Sequence, residues 1–307
     1  MSDSNIQEKT SDIRTAVREH YGKAAAEFKP ATSSSCCGPA QNSSCCSKDV
    51  DEIAASKLYP LSELSTLPEE VTGLSMGCGD PITLASLQPG QTVLDLGSGG
   101  GIDCFMAAKK VGETGHVIGV DMTAEMLEKA RANQTRLGVK NVDFRLGEIE
   151  HLPVADNSVD VIISNCVINL SPDKPQVFRE AFRVLKSGGK LAVSDIVTDG
   201  PLPQEVKDSM SAWAGCVAGA LDVKDYVDSL KATGFTNVEL TPVYFDQQTV
   251  DEYVKVIAPE AGSKRGKRLV MSDGVNTKVI ELSDDVDLGD KLIREAVFSA
   301  KITAYKS

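Results

Sequence analysis

A glycine-rich turn after an apolar run is the first feature of this sequence that could bind a small molecule. The run TVLDLGSGGG, residues 92–101, has the pattern of a strand that ends in Asp95 and continues into a turn. The turn contains Gly97, Ser98, Gly99 and Gly101. Glycines allow a backbone to approach a ligand closely. A dinucleotide fingerprint needs a further glycine where Ile102 stands, so the pattern disfavours a nicotinamide cofactor.

A second acid is placed where it could bind the hydroxyl groups of a ribose. Asp121 ends the run VIGVD, 22 residues after Gly99, close to the offset at which an acid accepts hydrogen bonds from a ribose. The D-x-G-x-G-x-G form of the turn resembles motif I of S-adenosylmethionine-dependent methyltransferases. In the plainer alternative, the glycines only make a tight turn from strand to helix, and Asp121 is a surface acid or a helix cap.

That resemblance implies S-adenosyl-L-methionine as the cofactor and suggests further contacts to it. Methyltransferases of this kind contact the adenine after the third strand, which points to Glu148 and Ile149. They contact the region of the sulfonium at the end of the fourth strand, which points to Asn165. Met122, directly after Asp121, is expected in the same set.

Cysteines are the second group of residues that could do chemistry. The chain has eight, and in a reducing compartment we expect thiols that serve as ligands, reactive groups or small core residues rather than structural disulfides. Four of them form two adjacent pairs: Cys36, Cys37, Cys45 and Cys46. These pairs lie in residues 30–48, which are rich in Ser, Gly and Pro and are predicted to form a mobile loop, here called the strap.

The other four cysteines differ in their surroundings. Cys104 lies four residues before Ala108 on the helix predicted after the glycine turn, where a buried apolar role is expected. Cys166 follows the fourth predicted strand, at the edge of the sheet where ligands bind in open α/β folds. Cys78 lies in the glycine-flanked turn MGCGDP, and Cys216 lies in WAGCVAGAL. Each of these three is weak evidence by itself, because free cysteines are often simply buried.

Four segments in this order resemble the signature segments of microbial arsenite methyltransferases: SMGCGDP, LDLGSGGGIDC, SNCVINLSPDK and WAGCVAGAL. The paired cysteines near the N-terminus resemble that family as well, and the resemblance spans about residues 30–240. It implies that Cys78, Cys166 and Cys216 hold trivalent arsenic, and that one or more cysteines of the strap deliver arsenic or act as reductant. The expected partners are arsenite, possibly as a thiol conjugate, and thioredoxin or glutathione.

Arsenic chemistry explains why thiols would be needed. Trivalent arsenic is soft and prefers sulfur to water or carboxylate, as soft metals do. Three As–S bonds leave a lone pair that can attack an activated methyl group, so no general base is required. This separates the reaction from O- or N-methylation, in which a proton must leave. The histidines are His20, His116 and His151; of these, His151 lies near the cofactor segment but is expected to have a surface or capping role.

The elements that must position these residues have the order of a doubly wound, Rossmann-like α/β methyltransferase fold. Strands are predicted near 91–96, 116–121, 141–146, 158–164 and 189–197. Helices are predicted at 6–28, 172–186 and 223–233, and an extended run at 236–245; the second helix is expected to have Ser171 as its cap. We divide the chain into an N-terminal helix with the Cys-rich strap (1–58), a methyltransferase domain (59–245) and a small α+β extension (246–307).

Composition excludes several classes of protein. The chain has 41% hydrophobic and 25% charged residues, which is ordinary for a globular protein. A net charge of −12 disfavours binding to nucleic acid, whose phosphates reward clustered Lys and Arg. No apolar stretch of about 18 residues and no secretion signal are visible, so no membrane association is expected and the cytoplasm is the expected location.

Two alternatives stay open at this stage. The same cofactor domain could methylate a small organic acceptor such as a quinone or a sterol precursor, because the fold does not determine the acceptor. The chain could also be a non-catalytic thiol protein that binds arsenite or another soft metal. Zinc is disfavoured, since no C-x-x-C spacing occurs.

Overall fold

The computed structural model describes residues 3–28, 58–200, 202, 207, 213, 216, 218–243, 267–272, 277–282 and 297–307. Side chains are described within this set from residue 11 onward, except in the two strands between 267 and 282 and at 297. Cys36, Cys37, Cys45 and Cys46 lie outside the described residues, and so does most of the predicted extension. Among the described helices, none combines the length and apolar character needed to cross a bilayer.

A mixed sheet forms the centre of the molecule. Its strands are β1 (Thr92–Leu96), β2 (His116–Asp121), β3 (Val142–Leu146), β4 (Val159–Asn165), β5 (Leu185–Thr198), β6 (Leu221–Asp222), β7 (Phe235–Val243) and β10 (Val297–Lys306). The strand order is β3-β2-β1-β4-β5-β10-β7, and β6 pairs with β5. The pairs among β1 to β5 are parallel, whereas β10 runs antiparallel to both of its neighbours. The predicted α/β class is confirmed, and the strand order reverses between β1 and β4, the position where open α/β sheets bind ligands.

Helices cover both faces of this sheet. They are α1 (Asp3–Glu27), α2 (Leu61–Leu64), α3 (Glu69–Thr72), α4 (Pro81–Ala85), α5 (Ile102–Val111), α6 (Ala124–Leu137), α7 (Lys174–Val184) and α8 (Val223–Thr233). One core cluster contains Val177 and Phe178 of α7, and the cluster on the other side contains Cys104 and Phe105 of α5. Cys104 is fully buried, so its predicted place in the core is confirmed.

The start of α7 differs from the sequence-based prediction. Asp173, not Ser171, is the N-cap, and its carboxylate accepts a hydrogen bond from the backbone N–H of Gln176. The hydroxyl of Ser171 instead donates to a carboxylate oxygen of Glu150 at 2.6 Å. Both residue types can cap a helix, but Ser171 has a buried acid as a partner that comes from another part of the chain.

The C-terminal strand corrects the predicted division into domains. Residues 246–307 were expected to form a separate small extension, but β10 lies between β5 and β7 in the main sheet. Phe298, Ala300, Ile302 and Ala304 are buried in the main core. The prediction is therefore wrong for this segment, because the chain returns to the sheet to pair with two strands. Between β7 and β10, β8 (Lys267–Ser272) and β9 (Thr277–Leu282) form a separate antiparallel pair.

Candidate active site

The glycine turn needs glycine for both conformation and space. Gly97 and Gly99 have φ angles of 69° and 49°, in the left-handed region that side chains disfavour. A Cβ atom added to Gly97 would lie 2.4 Å from the side chain of Val167, whereas one added to Gly99 would meet nothing within 4 Å. The turn therefore packs tightly against the loop after β4 on one side and borders open space on the other.

The carboxylate of Asp121 is fixed by backbone donors. One oxygen accepts the N–H of Gly99 at 2.9 Å, and the other accepts the N–H of Thr123 at 2.8 Å. Burial raises the pKa of Asp121 above its usual value, and these backbone hydrogen bonds oppose that shift because they stabilise the charged form. The glycine turn and this acid, which the sequence analysis assigned to the same site, lie directly beside each other.

A cavity lies at the carboxyl ends of β1, β2 and β4 and holds about 1000 Å³ of empty space, part of it open to solvent. This is at the upper end of the size range of small-molecule sites. Seven of the residues predicted to contact the cofactor line it: Gly97, Ser98, Gly99, Asp121, Met122, Ile149 and Asn165. The sequence positions chosen from the strand ends thus meet around one space.

Three other predicted contacts do not line the cavity. Asp95 is buried in β1, where its carboxylate accepts a hydrogen bond from the thiol of Cys104 at 3.2 Å. Gly101 is the N-cap of α5, and a Cβ atom there would lie 2.8 Å from the ring of Phe105. These two residues lie against side chains of α5 instead of lining the cavity.

Glu148, the third of them, is held by helix α1. Its carboxylate lies 3.2 Å from the guanidinium of Arg18 and 3.6 Å from that of Arg14. These partly exposed pairs contribute at most about 1 kcal/mol each. The neighbouring Glu150 lines the cavity in its place, and its carboxylate pairs with Arg14 at 3.3 Å.

Helix α1 is itself a wall of the cavity. The amphipathic pattern predicted the helix and its apolar face, and Ile13 and Val17 are indeed almost fully buried. The pattern gave no indication of what that face covers. Arg14, Val17 and Tyr21 line the cavity, so the first helix of the chain closes a site built by strands much later in the sequence.

Three polar atoms at the cavity lack hydrogen-bond partners within the described part of the chain. They are the hydroxyls of Ser75 and Ser98 and the Nε atom of Arg14, all buried. Buried polar groups are nearly always hydrogen bonded in native proteins. A ligand with several polar groups would form hydrogen bonds with these atoms. An amino acid joined to a nucleoside has such groups. The sequence analysis did not identify Ser75 or Arg14, because neither belongs to the glycine motif.

Cys78, Cys166 and Cys216 converge at one end of this cavity. Cys166 lines it, packs against Cys216 and Ile196, and has Cys78 beside it. The thiol of Cys216 donates to the backbone oxygen of Cys166 at 2.8 Å. Cys78 and Cys166 are joined as a disulfide, with Cα atoms 5.8 Å apart. The expectation of free thiols is therefore wrong for this pair, whose close approach permits the bond.

Two of these cysteines have an unfavourable backbone conformation. Cys166 and Cys216 have φ angles of 60° and 62°, in the left-handed region. A residue other than glycine costs on the order of 1–3 kcal/mol there, and such residues concentrate at functional sites. The fold keeps two side chains in these positions at a cost in stability, which points to a use for them.

Charged groups surround Cys216. Burial, followed by the negative charge of Asp195, raises the pKa of the Cys216 thiol to about 12, while Tyr21 and Lys174 act in the opposite direction. Burial also lowers the pKa of Lys174 to about 8 and raises that of Asp195 to about 7. Cys216 is therefore a neutral thiol at pH 7, and it must lose its proton when it binds a soft atom.

The methyltransferase-domain family model matches residues 87–249, more than half of the chain. An arsenite methyltransferase of Halobacterium salinarum is 45% identical over 75% of this chain, and one of Aquipseudomonas alcaligenes is 39% identical over 82%. The matched regions span 59% and 69% of those two proteins, so the chain covers less than two thirds of the first.

A solved structure agrees with these relatives. An arsenic (III) S-adenosylmethionine methyltransferase from Chlamydomonas reinhardtii superimposes with a TM-score of 0.59 and 34% identity, over 80% of this chain and 72% of that one. Sequence and fold thus both match the same group of enzymes. This is the group that the four cysteine and glycine segments of the sequence resemble. The chain belongs to the arsenite methyltransferase family.

Proposed function

We propose that this protein transfers methyl groups from S-adenosyl-L-methionine to trivalent arsenic held by the thiolates of Cys78, Cys166 and Cys216, giving methylated arsenicals in a detoxification reaction. The observation that carries the proposal is the convergence of these three cysteines beside the cavity. They come from segments about 90 and 50 residues apart, and Cys166 belongs to both the cluster and the cavity wall. If these cysteines only filled the core, none of them would need to line the cavity.

The residues of the cavity fit the cofactor. Asp121 has a fixed carboxylate that can accept hydrogen bonds from hydroxyl groups. The open space beside Gly99 leaves room for a close approach of the cofactor. The buried hydroxyl of Ser98 has no partner within the described residues and can form a hydrogen bond with it. When bound, the cofactor supplies an electrophilic methyl group on a positively charged sulfur. Val17 and Tyr21 of α1 line the cavity and cover part of it, which reduces the access of water to the reacting groups.

The disulfide must be reduced before the site can work. In the disulfide state, the described residues contain no group of three His, Cys, Asp or Glu side chains arranged to hold a metal ion. Two reducing thiols would convert the Cys78–Cys166 bond into two cysteine thiols and become a disulfide themselves. A dithiol protein such as thioredoxin, or two molecules of glutathione, fits this role. Because this step needs a reducing environment, the cytoplasm is the proposed location.

Arsenic capture then uses three thiols and needs no general base. Arsenous acid exchanges its three hydroxyl groups for three sulfurs and releases three water molecules, which include the thiol protons. The arsenic keeps a lone pair, and the cysteines hold it at the cavity wall as the nucleophile, so positioning supplies most of the acceleration. None of the three histidines lines the cavity.

Repeated methylation needs electrons. Methyl transfer changes arsenic formally from the trivalent to the pentavalent state, and its return requires two electrons. Two thiols supply them when they form a disulfide and release two protons. The strap cysteines Cys36, Cys37, Cys45 and Cys46 are proposed for this step or for the delivery of arsenic to the inner three.

A direct assay separates the proposal from its alternatives. Reduced, purified protein is incubated with methyl-labelled cofactor and with arsenite, or with a quinone precursor in parallel. The proposal expects label in methylated arsenic products and none in the quinone. Label in the quinone alone would favour an organic acceptor, and tight arsenite binding without transfer would favour a thiol-binding protein.

A further inference from the structure

Two asparagines in the segment SNCVIN hold the loops that carry Cys78 and Cys216. We infer that Asn165 and Asn169 are positioning residues that set the spacing of the three cysteines. This inference rests on the proposed function, because it concerns the geometry of the proposed arsenic site. It assigns Asn165 a part in that site besides its predicted contact with the cofactor.

Asn165 fastens the loop of Cys78 to the end of β4. Its side-chain oxygen accepts the backbone N–H groups of Cys78 at 2.9 Å and of Gly79 at 3.2 Å. Its amide nitrogen donates to the backbone oxygen of Gly79 at 2.8 Å and to the hydroxyl of Tyr59 at 2.8 Å. One side chain thus satisfies three backbone groups of a single turn.

Asn169 fastens the loop of Cys216 in a similar way. Its side chain is completely buried, and its amide nitrogen donates to the backbone oxygens of Ile196 at 2.6 Å and Cys216 at 3.2 Å. It therefore ties the Cys216 loop to β5. Cys166 lies between the two asparagines in sequence, and its own N–H donates to the backbone oxygen of Ser194 in β5.

Glycines allow both loops to approach closely. A Cβ atom added to Gly77 would lie 2.2 Å from the amide nitrogen of Asn165. One added to Gly219 would lie 2.0 Å from the backbone oxygen of Asn169. Each loop is seated directly on its asparagine residue. At position 165 the carboxamide both donates and accepts without adding charge. At position 169 it acts through its amide nitrogen, and its buried oxygen has no partner within the described residues.

Asn169 gives the cleaner test, because it does not line the cofactor cavity. In reduced protein without cofactor, Asn169→Ala is expected to weaken arsenite binding about ten-fold. In the Cys216→Ser background the same change should weaken the remaining binding less than two-fold, since Asn169 acts through Cys216. Equal losses in the two backgrounds, or no loss in the parent, would overturn the inference. Asn169→Ser, which keeps a small donor, replaces the alanine variant if the latter does not fold.

Asn141→Ala is the matched control. Its amide also donates to backbone oxygens, including that of Gly112 at 2.9 Å, but at the opposite edge of the sheet. This variant should leave arsenite affinity unchanged. A loss equal to that of Asn169→Ala would mean that any such asparagine matters through general stability, and would overturn the inference.

A readout without arsenic keeps the inference separate from the proposed function. In Asn165→Ala, hydrogen exchange at the amides of Cys78 and Gly79 should become at least ten-fold faster, because both lose their acceptor. Unchanged exchange would overturn the inference even if arsenite is methylated. Faster exchange in a protein that never binds arsenite would retain the positioning role and reject only the proposed substrate.

Discussion

At the scale of residues, the proposed reaction depends on sulfur rather than on proton transfer. Cys166 and Cys216 occupy left-handed backbone positions, which are unfavourable for residues other than glycine. From the sequence, strand ends and fixed offsets locate the glycine turn, Asp121 and Cys166. Cys216 was assigned to the site by the resemblance of its segment to a known family. The sequence could not identify Ser75 or Asn169, or the pairing of Glu148 with α1, since those depend on contacts between distant segments.

Replacement of the inner cysteines should remove activity without removing the cofactor. Cys166→Ser and Cys216→Ser should each lower the rate of methyl transfer to inorganic arsenite at least 100-fold, because oxygen is a poor ligand for a soft atom. Cofactor affinity, measured by calorimetry, should change less than three-fold. Cys104→Ser, a buried cysteine in the core, is the control and should keep the activity of its folded fraction. Loss of cofactor binding in the first two variants would assign those cysteines a structural role.

Asp121 should show the opposite pattern. Asp121→Ala removes the acceptor proposed for the ribose and should raise the dissociation constant of the cofactor about ten- to hundred-fold, the range of a hydrogen bond to a charged group. Arsenite binding to the reduced protein should change little. A calorimetric titration with unchanged cofactor affinity would show that Asp121 only supports the turn through Gly99 and Thr123.

At the scale of elements, helix α1 forms one wall of the cavity. The four-residue spacing of Ile13, Val17 and Tyr21 was enough to predict an amphipathic helix. Periodicity indicates that a face is buried, but not against what, so its place over the cavity had to come from the structure. The cap of α7 was missed for a similar reason: Ser171 is drawn away by Glu150, a tertiary partner.

A charge on the inner face of α1 should open the cavity. Val17→Asp puts a carboxylate in a position that is 1% exposed, at a cost of several kcal/mol if the helix stays docked. Undocking avoids that cost, so cofactor affinity should fall at least ten-fold while the main sheet remains folded by circular dichroism. Thr15→Asp makes the same change at an exposed position of the helix and should have little effect. Equal affinities of the two variants would contradict the role of α1 as a wall.

At the scale of the whole molecule, the C-terminal strand β10 is part of the main sheet. Apolar residues stand at every second position of β10, and Phe298, Ala300, Ile302 and Ala304 are all buried, as is the polar Ser299 between the first two. What the sequence does not contain is the partner: β10 inserts between β5 and β7, after more than fifty intervening residues. Pairings of such long range are the part of a fold that local patterns do not predict.

Because β10 is paired on both sides and its apolar residues are buried, one substitution in it should have a strong effect. Ile302→Asp should lower the free energy of unfolding by about 3 kcal/mol or more, because it buries a charge in the main core. Lys301→Asp, at the adjacent exposed position, should change it by less than about 1 kcal/mol. Urea denaturation measures both. If the two variants were equally stable, the C-terminal segment would not be part of the core.

The binding of arsenic by Cys78, Cys166 and Cys216 is tested most directly by X-ray absorption at the arsenic edge, which reports the coordination of arsenic in the intact, reduced protein. Three sulfur neighbours are expected in the parent and in a variant with all four strap cysteines changed to serine, and two are expected in Cys216→Ser. Arsenic bound mainly to oxygen in the parent, or three sulfurs retained in Cys216→Ser with the strap cysteines replaced, would contradict this mode of binding.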